Sequence, residues 1–196
     1  MRLPLLLTLA CSFLACTPDS VQDWLSLDRH ALLGGEAWRL WTGHLVHFST
    51  SHTMSNLVLL LAVTILAQRA FGSRTTLIAL LVAAPLISLG LSYLVPNLTV
   101  YRGTSALSAF LGVAVGMHLW YQTPRLRFAL AAVGMVAIVA MCLEAAGWFA
   151  GFSNLPAGIR VAWQAHLMAG LGAITWVFCR NAQLLAGTTL GMPQDV

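Results

Sequence analysis

Ser105, His166, His52, Asn56 and Glu144 stand out in this sequence because each lies inside, or opens, a long apolar run. A hydroxyl is a weak nucleophile until a base takes its proton, and an imidazole suits that task near neutral pH. Ser105 with His166 would make such a pair, a two-member site without the carboxylate that orients the base in a triad. His52 and Asn56 are four residues apart, so on a helix they share a face. Both can donate hydrogen bonds, and a donor aimed at a developing oxyanion is typically worth about 3 kcal/mol to acyl transfer. Gly103 permits a tight entry to Ser105, and free backbone N–H groups at a helix start add a further anion site. The chemistry these types support together is nucleophilic acyl transfer, with Ser105 as nucleophile and His166 as base; His52 and Asn56 are either donors to the oxyanion or hydrogen-bonding groups between helices.

The elements that must position them are membrane helices. Of the 196 residues, 59% are hydrophobic and 8% charged, and mean hydropathy is +0.81. A soluble domain carries about a quarter charged residues. Apolar runs long enough to cross a bilayer recur along the whole chain. The expected fold is an all-α membrane protein, one helical domain over residues 1–196. Its six spans fall at about 3–18, 52–69, 75–95, 104–121, 126–150 and 163–184, with a long first outer loop at about 19–51. Turn residues mark the breaks: Thr17-Pro18-Asp19, Phe71-Gly72-Ser73-Arg74, Pro96-Asn97, Gln122-Thr123-Pro124-Arg125 and Ser153-Asn154-Leu155-Pro156. Pro85 would kink the third span unless a neighbour re-satisfies the freed carbonyl.

In a serpentine bundle the second, fourth and sixth helices start from one face. His52, Ser105 and His166 then lie at similar depth, just beneath the outer surface. Ser105, Ala109, Gly112 and Gly116 give helix four a face without bulk, and His166, Gly170 and Ala173 do the same for helix six. Small faces let membrane helices approach closely, so packing them would bring Ser105 to His166. Ser108 is a further polar group on helix four. Glu144, on helix five within two turns of the outer end, is read either as a packing carboxyl or as a candidate for substrate selection. Polar groups inside spans are costly, which makes each a functional hypothesis.

The charge of +4 comes from arginine alone. The arginines flank apolar runs, as the positive-inside rule expects, and do not form a nucleic-acid footprint. With the N-terminus inside, Arg2, Arg69, Arg74, Arg125, Arg127 and Arg180 are inner, and Arg29, Arg39, Arg102 and Arg160 outer, which points to N-in and C-in. Residues 1–14 have the look of a signal peptide and Phe13-Leu14-Ala15-Cys16 faintly that of a lipoprotein box, but Phe fits the box poorly, and the segment is read as an uncleaved first span. Trp24, Trp38 and Trp41 in the long loop suit the headgroup region. Cys11, Cys16, Cys142 and Cys179 lack zinc-site spacing and are read as buried small hydrophobes; neither metal nor cofactor is expected. His30, His44, His47 and His118 are read as interfacial or structural.

These residues resemble the rhomboid family of intramembrane serine proteases. Trp38-Arg39, then Thr42, His47 and His52-Thr-Met-Ser-Asn56, look like that family's first-loop Trp-Arg and its His-x-x-x-Asn. Gly103-Thr104-Ser105-Ala106 looks like Gly-x-Ser-Gly, with alanine in the last place, and Ala165-His166-Leu-Met-Ala-Gly170 looks like Ala-His-x-x-Gly. The resemblance implies a Ser105–His166 dyad, with His52, Asn56 and the Ser105 N–H as oxyanion hole, cleaving membrane-anchored proteins near the outer face. Asp23-Trp24-Leu25, Asp28-Arg29, Gly35 to His44 and Tyr101-x-Gly103-x-Ser105 are most similar to the rhombosortase branch. That branch implies a bacterial inner membrane and substrates ending in Gly-Gly, a transmembrane helix and a basic tail. The competing readings are a general rhomboid protease, an inactive rhomboid-like protein that binds clients, and a small transporter with His52, Glu144 and His166 as a proton path.

Overall fold

The structure, a computed structural model, describes residues 2–149, 155, 159 and 161–189, with side chains described up to residue 182. The turn read at 153–156 lies, Leu155 apart, outside the described residues, as does Arg160. Long helices dominate: α1 (Arg2–Ala15), α5 (Thr50–Phe71), α6 (Ser73–Leu94), α7 (Ser105–Gln122), α8 (Arg127–Ala145, led in by a 3-10 turn at Pro124–Leu126) and α9 (Trp163–Thr189). Each coincides with one of the apolar runs. Thr50–Phe71, Ser73–Leu94 and Pro124–Ala145 are long and apolar enough to cross a membrane, and Arg2–Ala15 is a shorter apolar helix.

Between α1 and α5 the chain is not an open loop. It holds α2 (Asp19–Leu25), strand β1 (Leu27–Asp28), α3 (Arg29–Leu33) and α4 (Arg39–Thr42). The Asp28 side chain caps α3 by accepting the Ala31 N–H at 2.9 Å. β1 pairs antiparallel with β2 (Val100–Tyr101), Leu27 opposite Tyr101 and Asp28 opposite Val100. Two residues a side are too few to be stable alone; the pair acts as a clip that ties the segment before α7 to the segment before α5.

Pro85 lies inside α6 without ending it. Proline removes the N–H that would have bonded the carbonyl four residues back, here Leu81. The Trp41 indole N–H donates to that oxygen at 2.9 Å. The neighbour that re-satisfies the freed group is therefore α4, which docks on α6 at the proline. His44, one residue past the end cap of α4, is fully buried there, with Nε2 at 3.1 Å from the Ala84 oxygen and 3.0 Å from the Ser88 hydroxyl.

The core is built on α5, α7 and α9, with α6 against α7 and α9. α5 buries His52, Asn56, Leu60, Thr64, Ala67 and Phe71 on one face, at intervals of three and four. Their outer faces expose Val58, Leu59, Leu66, Leu77, Ile78, Leu81 and Val82. A surface that apolar is stable in lipid rather than in water.

The expectation about small faces is corrected. α7 and α9 do pack together, but a Cβ added at Gly112, Gly116 or Gly170 would meet nothing within 4 Å. The buried stripe of α9 is Ala165, Ala169, Ala173 and Val177, and that of α7 runs through Ala106, Phe110 and Ala114. Alanine at every fourth position is small enough for close approach, so the packed face is turned one residue from the predicted one at 165 and 169 and coincides with it at Ala173. Close approach through glycine occurs at Gly90, where a Cβ would stand 2.7 Å from the Met168 sulfur. The cysteine expectation holds only for Cys11; Cys16, Cys142 and Cys179 are exposed, as an apolar thiol can be on a lipid-facing surface.

Candidate active site

The approach to Ser105 is anchored by the segment before α5. Arg39 is buried, and its guanidinium donates to the Glu36 carboxylate (2.7 Å from Nε) and to the backbone oxygens of Asp23 and Ser26 at 2.9 and 2.7 Å. A planar fork with five donors can serve several acceptors at once. Arg102 donates to the Ser26 hydroxyl at 2.6 Å and pairs with Asp23. The Gly103 N–H bonds the Gly43 oxygen at 3.0 Å, and His47 Nε2 lies 3.4 Å from both the N–H and the hydroxyl of Thr104. Residues 102, 103 and 104 are each held by a different point of that segment. Burial lowers the pKa of His44 to about 4 and that of His47 to about 3, the latter helped by neighbouring His52. Both are neutral packing groups, in keeping with their structural reading.

Ser105 is the first residue of α7 and half-buried. The Tyr101 phenol lies beside the Ser105 hydroxyl and the Ala106 N–H. Tyr101 is buried and donates to the Gly103 oxygen at 2.8 Å; burial raises its pKa, so the phenol stays protonated. Ala106, where the family pattern has glycine, is fully buried, and its methyl points into the core.

His52 comes to this point from α5. Gly103 has φ +131, and a Cβ there would stand 3.1 and 3.2 Å from Cε1 and Nε2 of the His52 ring. Glycine is needed at 103 on two grounds, the torsion and the imidazole beside it. His47 meets the His52 ring edge-on at 5.1 Å, and Phe48 stacks on it at 6.2 Å between centroids. Asn56 is buried one turn on and spends one amide N–H on the His52 oxygen at 2.8 Å. Its amide carries two. The Ser108 hydroxyl is buried without a hydrogen-bond partner among the described residues.

α5, α7 and α9 run in one direction. At their starts His52 meets Gly103; at their far ends Phe71 meets His118 at 5.3 Å and Trp176 at 5.0 Å, with Arg180 over its ring. Trp176 lies ten residues beyond His166, about 15 Å along a helix, which puts His166 toward the end where Ser105 and His52 lie. His166 Nδ1 is 3.4 Å from a carboxylate oxygen of Glu144 on α8. That contact was not anticipated. Its signal was present, a single carboxyl in an apolar helix at the depth of the histidine, but spacing alone does not say which way α8 turns it.

Residues 34–182 match the Rhomboid domain, from just before Trp38-Arg39 to beyond His166. The chain belongs to the rhomboid family. No curated protein matches it. Rhomboid proteins are multi-pass membrane proteins and in general serine protease hydrolases, which accords with the apolar helices here. In this rhomboid, the segment before α5 that carries Trp38 and Arg39 serves as a brace for residues 102–104, which lead directly into Ser105.

Proposed function

We propose that this rhomboid protein is an intramembrane serine endopeptidase with Ser105 as nucleophile and His166 as base. The reading is supported by His52 meeting Gly103 at the start of α7, and by His166 lying toward that same end of three parallel helices, in a chain of this family. His166 takes the Ser105 proton as Oγ attacks the scissile carbonyl, forming a tetrahedral intermediate. The oxyanion is met by His52, by the remaining amide N–H of Asn56 and by the Ser105 N–H. His166 then gives its proton to the leaving amine as the C–N bond breaks, and water hydrolyses the acyl-enzyme by the same steps in reverse roles.

All six long helices cross the bilayer in this reading, N-in and C-in, in a bacterial inner membrane, with the site near the outer face. Substrates are membrane-anchored proteins, and the branch-like motifs favour tails of Gly-Gly, transmembrane helix and basic residues. The test is co-expression with a membrane-tethered reporter carrying such a tail or one lacking Gly-Gly. Cleavage of the first alone, lost in Ser105→Ala and His166→Ala, is expected. Equal cleavage of both would leave a general rhomboid protease, and no cleavage with retained reporter capture would leave an inactive client-binding relative.

A further inference from the structure

We propose that Glu144 is a positioning residue for His166, making the catalytic set three-membered. The inference rests on the Ser105–His166 reading and adds a group to it. α8 has no buried residue and, Arg127 and Glu144 apart, no charged one. Yet the Glu144 side chain is only 9% exposed, turned inward, with a carboxylate oxygen 3.4 Å from Nδ1 of His166, itself 24% exposed. The other described acidic residues lie between 19 and 36, where Asp23 pairs with Arg102, Asp28 caps α3 and Glu36 pairs with Arg39. Among the described residues, Glu144 has His166 as its ion-pair partner. A carboxylate in an apolar membrane helix is expensive, and the base is what it touches.

The geometry fits the orienting role in acyl transfer. A carboxylate at Nδ1 keeps the proton on that nitrogen and leaves Nε2 bare to receive the serine proton; it then faces the imidazolium that forms. The contact is longer than a formed hydrogen bond, as catalytic contacts commonly are before substrate binds. Two other roles are open to the same side chain, a helix–helix tether and a selector of substrate at α8, and they predict different results.

The experiment compares wild type, Glu144→Gln, Glu144→Asp and Ser105→Ala as full chains in lipid vesicles. It measures labelling of the serine by a fluorophosphonate probe and cleavage of the Gly-Gly reporter. Loss of the orienting carboxylate in a buried triad costs about 10⁴-fold in kcat, and with His166 a quarter exposed we expect about 10²-fold. Glu144→Gln is therefore expected to slow both labelling and kcat about 10²-fold with KM little changed, and Glu144→Asp to recover part of it. Labelling at the wild-type rate in Glu144→Gln overturns the inference, whether substrate preference shifts, as a selector requires, or only the melting temperature falls, as a tether requires. If Ser105→Ala labels like wild type, the Ser105 reading itself fails and the inference with it. A silent Ser105→Ala beside an unaffected Glu144→Gln overturns the inference alone.

Discussion

Replacing Gly103 by alanine tests whether the entry to α7 was shaped by His52. The new Cβ meets two penalties. At φ +131 a non-glycine residue costs about 1–3 kcal/mol of backbone strain. It also stands 3.1–3.2 Å from the His52 ring, nearer than ordinary contact, while Phe48 and His47 limit where the ring can go. The ring must shift by a few tenths of an ångström away from residue 103. Losing an oxyanion donor outright costs about 10²–10³ in kcat; displacing one without removing it should cost about 10–10²-fold. A double-mutant cycle separates the two penalties. In His52→Ala the imidazole is gone, so Gly103→Ala should add strain without further catalytic loss, and kcat should fall less than about threefold beyond the single variant. The measurements are kcat on the tethered reporter in vesicles and resistance to unfolding in mixed micelles. Two results refute the reasoning: wild-type kcat in Gly103→Ala, or the same fold-loss from Gly103→Ala with and without His52.

Arg39→Lys keeps the charge but cannot reach Glu36, Asp23 and Ser26 together, and each buried acceptor left bare costs about 1–3 kcal/mol. We expect a loss of about 2–4 kcal/mol in unfolding free energy followed by tryptophan fluorescence; a change under about 0.5 kcal/mol would refute the bracing role. Stability should also depend on acid through His44 and His47. Burial holds their folded pKa values at about 4 and about 3, below the ordinary 6.5, so the unfolded chain binds protons first as pH falls. Their contribution is fully present above about pH 6.5 and is lost as pH drops toward 4, at about 1.4 kcal/mol per pH unit for each histidine. An unfolding midpoint that stays flat from pH 7 to about 4.5 would contradict this, and His47→Gln should reduce the slope.

The long helices were legible because apolar runs and breakers are local. Phe71-Gly72-Ser73 marked a break, and α5 ends at Phe71 with Gly72 at φ +82, a torsion glycine adopts freely. The start of α7 at Ser105 and the shared face of His52 and Asn56 followed from spacing in the same way. The packed face of α9 did not, because alanine and glycine both qualify as small, and only the neighbouring helix decides which stripe it meets. Nor did the β1–β2 clip, since two-residue strands have no period to read. Trp41 suits the headgroup region by type, but spacing does not foretell that its indole N–H also serves the carbonyl freed by Pro85. Contacts made across some twenty to eighty residues depend on the whole packing, and the Glu144–His166 pair, 22 residues apart, is the case with the most chemical weight.

A helix with no buried residue adds nothing to the protein's own core, and α8 is such a helix. In the proposed reading, its place beside α9 is held largely by the acyl chains around it, and the orientation of His166 comes under the membrane's mechanical control. Bilayer thickness and lateral pressure would set how firmly Glu144 is pressed to the imidazole. Detergent, which packs more loosely, would blunt the proposed activity without unfolding the protein, so that lipid would work as an outer wall of the proposed site.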